Sequence, residues 1–207
     1  MTRSRDFAAM MCSKARGGAD ILIGGVKNDA ASYLHAPAGV KASLANPDGN
    51  TGDAKGDSYT SIENLIGSKF ADKLVGDGTS NWLTGESGPD VLTGQGGNDQ
   101  FVLNAVSDSP PGNGRDQVTD FNAGDAASSV DKINLRVIDA RTGPGNDAFS
   151  FIGTAAFSNT KGELRVEQAG TSAIVMGDVD GDGTADFEIE LLNFSDLSAL
   201  TAIDFRL

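Results

Sequence analysis

Four consecutive blocks of nine residues fill positions 67–102: GSKFADKLV, GDGTSNWLT, GESGPDVLT and GQGGNDQFV. Each block begins with Gly, carries Asp or Asn at its sixth position and has an apolar residue at its eighth. A flexible Gly-rich linker is the alternative interpretation, but a linker gives no reason to place Leu or Phe at every ninth residue. The fixed period therefore predicts a repeat architecture, in which each block stacks on its neighbours.

Each block divides into a longer turn part and a short strand part. Because alternate strand residues point to opposite faces, the eighth residues are predicted to point inward. These are Leu74, Leu83, Leu92 and Phe101, while Lys73, Gln100 and the threonines point outward. If the chain reverses at each turn, two blocks make one coil, and every second block stacks on the same side at about 4.8 Å per layer. The repeat thus predicts an all-β parallel roll.

Stacking of every second block places Asp72 beside Asp90, and Asn81 beside Asp99. Two carboxylates about 5 Å apart repel by about 3 kcal/mol at an effective dielectric constant of 20, and no basic residue recurs in phase with them. Glycine allows positive φ in the turn, which directs carbonyl oxygens inward. Carboxylate and carbonyl oxygens in loose geometry suit Ca²⁺ better than Mg²⁺. The predicted ligands in the roll are Asp72, Gly85, Ser87, Asp90, Gly94, Gly96, Asp99, Asp116 and Asp120, and the neutral Asn81 predicts a weak or empty site.

Further copies of the repeat lie on both sides of the four blocks. Residues 15–23 and 24–32 carry Asp20 and Asp29 at the sixth position, 58–66 is a degenerate copy with Glu63, and 111–119 restores the phase with Asp116. Asp116 is predicted to continue the side that carries Asp90. The chain accordingly divides into a poorly patterned N-terminus (1–14), a roll (15–119) with an insertion at about 33–57, and a C-terminal β cap (120–207).

The C-terminal part reads as strands of an antiparallel, sandwich-like cap, with alternating apolar residues in AFSFIG, GELRVEQ, SAIVMGD and FEIELLNF. One loop, DVDGDGTAD, matches the first six positions of an EF-hand calcium loop. Its predicted calcium ligands are Asp178, Asp180, Asp182, Thr184 and Asp186. Ile189 replaces the Glu at position twelve and the flanks alternate like strands, so the sequence favours a calcium loop on a β-hairpin over an EF-hand. A solvated acidic turn is the alternative.

The bulk composition excludes several classes of protein. The net charge of −13 argues against nucleic acid as a partner. No apolar run approaches the roughly 18 residues of a membrane span, and "FAAMM" is short of a signal-peptide core. Cys12 is the single cysteine, so a bound metal rather than a disulfide is the expected cross-link.

The sequence also lacks a convincing catalytic triad, catalytic metal site or glycosidase acid pair. His35 is the single histidine and lies in the Gly/Pro-rich insertion, so a Ser-His-Asp triad would depend on a loop residue. It has no histidine or cysteine partners for a metal site. The repeat period explains the paired acids as metal ligands, which leaves little ground for a glycosidase pair. The chain is predicted not to be an enzyme.

The nonapeptide, of which GGNDQF at residues 96–101 is the nearest match, resembles the RTX (haemolysin-type) calcium β-roll. The order of roll, DFNAGD, DKINL, GELR, GDVDGDGTADF and a terminal DFRL resembles the C-terminal half of serralysins, which are secreted zinc peptidases. Their motif H-E-x-x-H-x-x-G-x-x-H needs three histidines, so no peptidase activity carries over. The terminal residues resemble the family's type I secretion signal, from which Arg206 departs.

Two functions follow from these patterns. The first is a non-catalytic calcium-binding module of a secreted, extracellular protein, exported by type I secretion machinery, with its catalytic domain expected upstream. The second is a free-standing extracellular module that binds an anionic glycan or a surface layer, as RTX-like rolls resemble the modules attached to alginate epimerases. The second needs a basic or aromatic strip, and Trp82 is the single tryptophan, on a predicted outer face.

Overall fold

The structure is a computed structural model that describes residues 3–4, 12–26, 28–124, 130–141 and 145–207. Within these ranges the chain is built almost entirely from short strands. The strands are β1 Arg3–Ser4, β2 Cys12–Lys14, β3 Ile21–Ile23, β4 Ala30–Ser32, β5 Lys41–Ser43, β6 Ser58–Thr60, β7 Asn64–Ile66, β8 Lys73–Val75, β9 Trp82–Thr84, β10 Val91–Thr93, β11 Gln100–Val102, β12 Asp116–Val118, β13 Lys132–Asn134, β14 Ser150–Phe151, β15 Glu163–Ala169, β16 Ser172–Asp178, β17 Phe187–Leu191 and β18 Phe205–Arg206. Short 3-10 helices cover Pro47–Gly49, Gly52–Ala54, Val106–Asp108, Gly112–Gly114, Leu197–Ala199 and Ala202–Asp204.

From β7 to β13, successive strands alternate between two large sheets and pair in parallel within each. The eight-stranded sheet has the order β14-β15-β16-β17-β12-β10-β8-β5, and the seven-stranded sheet has the order β18-β13-β11-β9-β7-β4-β2. A third, small sheet holds β1, β3 and β6. Leu74 pairs with Leu92 in one large sheet, and Leu83 pairs with Phe101 in the other. Each pair joins one block to the second block after it, so the predicted all-β parallel roll is confirmed.

The eighth residues of the blocks form the core between the two large sheets. Leu65, Leu74 and Leu83 are fully buried, and Phe101 is nearly so. Each such side chain contributes roughly 1.5–3 kcal/mol by leaving water, but a block supplies only one. Gln100 was predicted to face outward, yet it is buried, because it lies in a central strand between Trp82 of β9 and Lys132 of β13. Asn134 donates to its amide oxygen at 2.9 Å.

The insertion after residue 32 contributes to the roll instead of only interrupting it. Its strand β5 lies parallel to β8 and ends the eight-stranded sheet. Ala42 of β5 is fully buried. Because β5 covers the edge of β8, the N–H and C=O groups of β8 gain partners that they would otherwise lack.

The C-terminal strands continue the sheets of the roll. β15, β16 and β17 are antiparallel, as the alternating pattern predicts, and β17 then lies parallel to β12. In the other sheet, β13 and β18 add parallel strands beside β11. Parallel pairing therefore extends past Thr119, the predicted end of the roll. The open end of a stack exposes unpaired backbone groups and apolar surface, and these strands cover both.

Within the described ranges, no helix has the length and apolar character required to cross a bilayer.

Candidate metal centre

Acidic side chains at the sixth position of successive coils are joined by hydrogen bonds along the roll. Beside the eight-stranded sheet, the backbone N–H of Asp72 donates to Oδ1 of Asp90 at 2.7 Å, and the N–H of Asp90 donates to Oδ1 of Asp116 at 2.9 Å. We call this series the Asp90 ladder. The structure thus places Asp116 on the side of Asp90, where the sequence predicted it.

A second series, the Asp99 ladder, lies beside the seven-stranded sheet. The backbone N–H of Asn81 donates to Oδ1 of Asp99 at 2.8 Å, and the N–H of Asp99 donates to Oδ1 of Asp131 at 2.9 Å. One oxygen of each sixth side chain in these pairs therefore accepts a hydrogen bond from the preceding coil.

In both ladders one buried carboxylate oxygen has no hydrogen-bond partner. These atoms are Oδ2 of Asp90 and Oδ2 of Asp99, and both residues are only 1% exposed. Leaving a buried acceptor unpaired costs about 1–3 kcal/mol, and more when it is charged. The two atoms are the strongest indication in the described part of the chain that a cation belongs here.

The electrostatics of the ladders agree with this indication. Burial, with the nearby charge of Asp116, raises the pKa of Asp90 to about 9. Burial also raises the pKa of Asp116 to about 8, and that of Asp99 to about 7. Among the described residues, the two ion pairs are Arg115–Glu188 and Arg165–Glu167, and neither involves a ladder carboxylate. Neither ion pair therefore offsets the charges of Asp90, Asp99 and Asp116.

The turns come in two conformations, and the conformation decides whether an oxygen is left free. In the first kind, the N–H of the second residue caps the sixth side chain: Ser68 donates to Asp72 at 2.5 Å, and Asp77 donates to Asn81 at 2.7 Å. In the second kind, the second residue is left-handed, with φ of 68° at Glu86 and 70° at Gln95. We call these closed and open turns, respectively. The open turns are those of Asp90 and Asp99.

Asp72 therefore lies in the ladder but differs from Asp90. Its oxygens accept from the N–H groups of Val40 at 2.6 Å and Ser68 at 2.5 Å, and from the Ser68 hydroxyl. Burial still raises its pKa. The structure brings Asp72 to the predicted position with its hydrogen-bonding capacity largely used by the protein.

The glycine at the start of each block allows the side chain of the sixth residue to lie close to the backbone of the turn. A Cβ on Gly85 would collide with the Asp90 carboxylate, and one on Gly94 would collide with that of Asp99. Asp120, another predicted ligand, accepts from the N–H groups of Gly94 at 2.9 Å and Gln95 at 2.8 Å. Asp120 thereby holds the open turn of Asp99 from the next coil.

Two other predicted ligands of the roll make different contacts. The Ser87 hydroxyl lies 3.4 Å from Oδ1 of Asp108, and the N–H of Gly96 donates to the carbonyl of Asp77 at 3.2 Å. Both residues therefore lie in the turns that carry the free oxygens.

Two acids of the ladders were not predicted from the sequence. Asp108 is buried, and its charge raises the pKa of both Asp90 and Asp116. It lies in the insertion that precedes the copy at 111–119, where the period gives no signal. Asp131 could have been found, because it lies two positions before the inward Ile133, as each sixth residue lies before its eighth.

The hairpin loop between β16 and β17 brings a separate acidic group together. Carboxylate oxygens of Asp178, Asp180 and Asp186 lie within 4.8 Å of one another, which is close enough to hold one metal ion. Asp178 is fully buried and accepts from the N–H groups of Gly181 and Gly183. Asp182 and Thr184 lie in the same loop, but the Asp182 carboxylate bonds to Thr184 and is not one of the three grouped acids.

The donor atoms fit a hard, oxygen-seeking cation. The ladders offer buried carboxylate oxygens without donors, and the open turns have the left-handed backbone that redirects main-chain groups. Such oxygen sets suit Ca²⁺, which accepts six to eight oxygens at irregular angles, while Mg²⁺ requires a near-ideal octahedron.

Taken together, the two parallel sheets and stacked acidic turns define a β-roll repeat module. The family model described as Peptidase M10 serralysin C terminal matches residues 16–204. The chain therefore belongs to this family, and the match is to the C-terminal part of the peptidases that give the family its name. The resemblance to serralysin C-terminal RTX domains that the motifs indicated is confirmed.

The fold is similar to that of one solved structure, an R2 subunit. The R2 subunit of the mannuronan C5-epimerase AlgE6 from Azotobacter vinelandii is similar with a TM-score of 0.53 and 21% identity, over 86% of this chain and 91% of that one. The R3 subunit of the same enzyme matches with a TM-score of 0.40 and 17% identity, over 91% of this chain and 79% of that one. No curated protein sequence matches the chain significantly.

Proposed function

We propose that this chain is a calcium-binding module of a secreted protein, and that calcium binding drives the folding of its roll. The observation that carries the proposal is the pair of buried, partnerless oxygens, Oδ2 of Asp90 and Oδ2 of Asp99. A bound cation would offset the cost of burying these two carboxylate oxygens. The family to which the chain belongs is described as the C-terminal part of serralysin peptidases.

The residues that would hold the ions are the acids of the ladders and the turn residues around them. Asp90 and Asp116 would share one position, with Asp108 nearby, and Asp99 would share another with the turn held by Asp120. The predicted ligands Asp72, Gly85, Ser87, Gly94 and Gly96 belong to the same turns. The hairpin loop would provide a further position outside the roll, held by Asp178, Asp180 and Asp186.

Coupling to folding follows from the energetics of the roll. Its strands are short, each block buries one large apolar side chain, and the chain carries a net charge of −13. Burial on this scale does little more than offset chain entropy, so ion binding would supply much of the folding free energy. Extracellular calcium modules bind at about 10⁻⁴–10⁻³ M, well above cytosolic calcium. The chain would then stay unfolded for type I export and fold outside the cell, as the C-terminal part of a peptidase-like protein.

Far-UV circular dichroism in EGTA and in millimolar calcium tests the proposal. We expect a β-rich spectrum and a cooperative melt in calcium, and in EGTA a weaker β spectrum with a melt at a much lower temperature. Mg²⁺ at the same concentration is the control and should not restore the spectrum. Identical spectra and melts in EGTA and calcium would contradict the proposal.

A groove on the outer face of the seven-stranded sheet favours a second function, the binding of an anionic glycan. The groove has a volume of about 450 Å³ and is lined by Ile66, Trp82, Val102, Arg136, Val137 and Arg206, among others. In this acidic chain the two arginines stand out, because neither forms an ion pair with a described carboxylate. An indole ring and two such guanidinium groups that line one groove suit a sugar ring that carries a carboxylate.

Binding of oligouronates, measured by calorimetry in saturating calcium, tests this second function. We expect Arg136→Ala and Trp82→Ala each to weaken binding at least tenfold. Arg165→Ala is the matched control, because Arg165 lies outside the groove and pairs with Glu167 at 2.8 Å. Equal binding by all four proteins, or none by the wild type, would exclude the groove as a glycan site.

A further inference from the structure

The Asp99 ladder contains one coil-to-coil step in which an amide replaces a carboxylate. We infer that the step from Glu63 to Asn81 is closed by the protein's own hydrogen bonds and takes no calcium, so that the ions of this ladder begin at Asp99. The inference rests on the calcium-binding function proposed above. It assigns which coil of the module stays metal-free.

Asn81 uses every part of its side chain within the protein. Its Nδ2 donates to the carbonyl oxygen of Glu63, in the preceding coil, at 2.8 Å. Its Oδ1 accepts from the N–H of Asp77 at 2.7 Å. The residue is fully buried, so water has no access to these groups. The amide therefore links the two coils without any additional ligand.

Asp99, one coil further on, occupies the same position in its turn and behaves differently. Its Oδ1 accepts from the N–H of Asn81 at 2.8 Å, while its Oδ2 is buried without a partner. The turn before it is open, with Gln95 at φ of 70°, so the second N–H does not cap the carboxylate. That N–H donates to Asp120 instead, at 2.8 Å.

Two local features therefore separate the two coils: a donor in place of an acceptor at the sixth position, and a closed turn in place of an open one. The residue at the second position of the block affects whether the turn is closed or open. Asp77 directs its N–H at Asn81 and so closes the turn, whereas glycine adopts positive φ readily. Restoring a site should need both a carboxylate at position 81 and an open turn before it, and a glycine at position 77 favours the open turn because it adopts positive φ without strain.

The coils before Asn81 support this division. The Glu63 carboxylate accepts from the N–H of Asp29 at 2.9 Å. The Asp57 carboxylate accepts from the N–H of Asp20 at 2.8 Å and from the hydroxyl of Tyr33 at 2.9 Å. Tyr33 is fully buried, and burial raises its pKa, so the phenol keeps the proton it donates. The Asp57 carboxylate therefore has a protein donor on each oxygen, whereas Asp90 and Asp99 each keep one oxygen without a donor.

The test counts bound ions in four proteins: wild type, Asn81→Asp, Asp77→Gly, and the double variant Asp77→Gly/Asn81→Asp. Equilibrium dialysis with atomic emission gives calcium per chain, and melting in EGTA gives stability without the ion. We expect the double variant to bind one more calcium per chain than the wild type. Asp77→Gly alone should bind the same number as the wild type. Asn81→Asp alone should melt at a lower temperature in EGTA, because a carboxylate oxygen would face the Glu63 carbonyl.

The outcomes separate the two proposals. Equal calcium counts in the wild type and the double variant would overturn the metal-free step while leaving the calcium-binding function intact. A double variant that does not fold even in excess calcium would also count against it. If the wild type binds no calcium, both the proposed function and this inference are wrong.

Discussion

The backbone N–H of Asp90 donates to the side chain of Asp116 at 2.9 Å, in the same way that the N–H of Asp72 donates to Asp90. The first pair is 26 residues apart and the second is 18. The inserted residues therefore leave the roll's pairing unchanged: Leu92 pairs with Val118 as it does with Leu74. The ladder is set by strand register and not by the number of residues in a coil.

Asp90→Asn should have opposite effects on stability with and without calcium. In EGTA at pH 7 the variant should melt at a higher temperature, because it removes a carboxyl whose pKa burial raises to about 9. Holding such a group in the fold costs roughly 4 kcal/mol at most. In saturating calcium the variant should melt at a lower temperature, because an ion ligand is lost.

Asp72→Asn is the matched control for this reversal. The Asp72 oxygens accept from Val40 and Ser68, so an amide there would place N–H groups against donors. The control should lower the melting temperature in both conditions. A loss of stability by Asp90→Asn in EGTA as large as its loss in calcium would show that Asp90 has only a structural role.

Without calcium, the fold should lose stability as pH rises. The folded pKa values of Asp99, Asp116 and Asp90 are raised to about 7, 8 and 9, while the unfolded carboxyls keep ordinary values near 4. Between these limits the folded state binds more protons than the unfolded state. Stability is therefore greatest near pH 4 and falls as pH approaches 9. Melting in EGTA at pH 5, 7 and 9 measures the slope, and Asp90→Asn/Asp116→Asn should flatten it.

Calcium affinity should show the reverse dependence on pH. The ion competes with protons for the same carboxylates, so the apparent affinity should rise from pH 6 to pH 9, with protons released on binding. Calorimetry in two buffers of different ionisation enthalpy measures that release. An affinity that is constant over this range would contradict the assignment of Asp90, Asp99 and Asp116 as ligands.

Gly85→Ala should destabilise the module by about 2 kcal/mol or more, because the new Cβ would lie 2.9 Å from Cβ of Asp90 and collide with its carboxylate. Gly78→Ala is the control: it lies in an equivalent loop, yet a Cβ there meets nothing within 4 Å. Thermal melting in calcium compares the two. Equal melting temperatures would mean that Gly85 does not approach Asp90 as described.

Gln95→Gly should stabilise the calcium-bound module by about 1 kcal/mol. Gln95 has φ of 70°, a left-handed conformation that costs a non-glycine residue roughly 1 kcal/mol or more. Gln95→Ala removes the side chain beyond Cβ but keeps the Cβ that makes positive φ costly, so it should bring no gain. If the alanine variant stabilises as much as the glycine variant, backbone strain at this turn is excluded as the cause.

Asp180→Asn should reduce the calcium bound per chain by one, while the melting transition of the roll stays near its wild-type temperature. Asp180 belongs to the close group with Asp178 and Asp186, which lies on the hairpin between β16 and β17. Asp182→Asn is the control, because the Asp182 carboxylate bonds to Thr184. Equal losses in both variants would indicate general charge repulsion and not a site.

The roll was largely predictable because its signals are local and repeated. A period of nine with one inward residue per strand determines the pairing of Leu74 with Leu92 and of Leu83 with Phe101. The antiparallel strands of the C-terminal part were also predictable from alternation. The sequence could not show that β17 lies beside β12, since that contact joins segments that are distant in the chain and share no pattern.

The site was predictable to a lesser degree. The period locates Asp72, Asp90, Asp99 and Asp116 on the ladders, but it treats the four as equivalent. Backbone conformation makes them different, since Ser68 caps Asp72 while the second residue in the turn of Asp99 is left-handed. Asp108 contributes its charge from a segment that follows no period. Turn conformation and insertions are thus the parts that a repeat pattern leaves undetermined.

The unchanged pairing across the insertion before Asp116 has a practical consequence for engineering. Coils of two different lengths follow one another in the same sheet, and the longer coil carries its extra residues around the 3-10 helices Val106–Asp108 and Gly112–Gly114. The strands of the module therefore keep their spacing and register although one coil contains more residues than the other. A foreign epitope grafted between Pro110 and Pro111, which are exposed between these two helices, would be displayed at a fixed height along the stack.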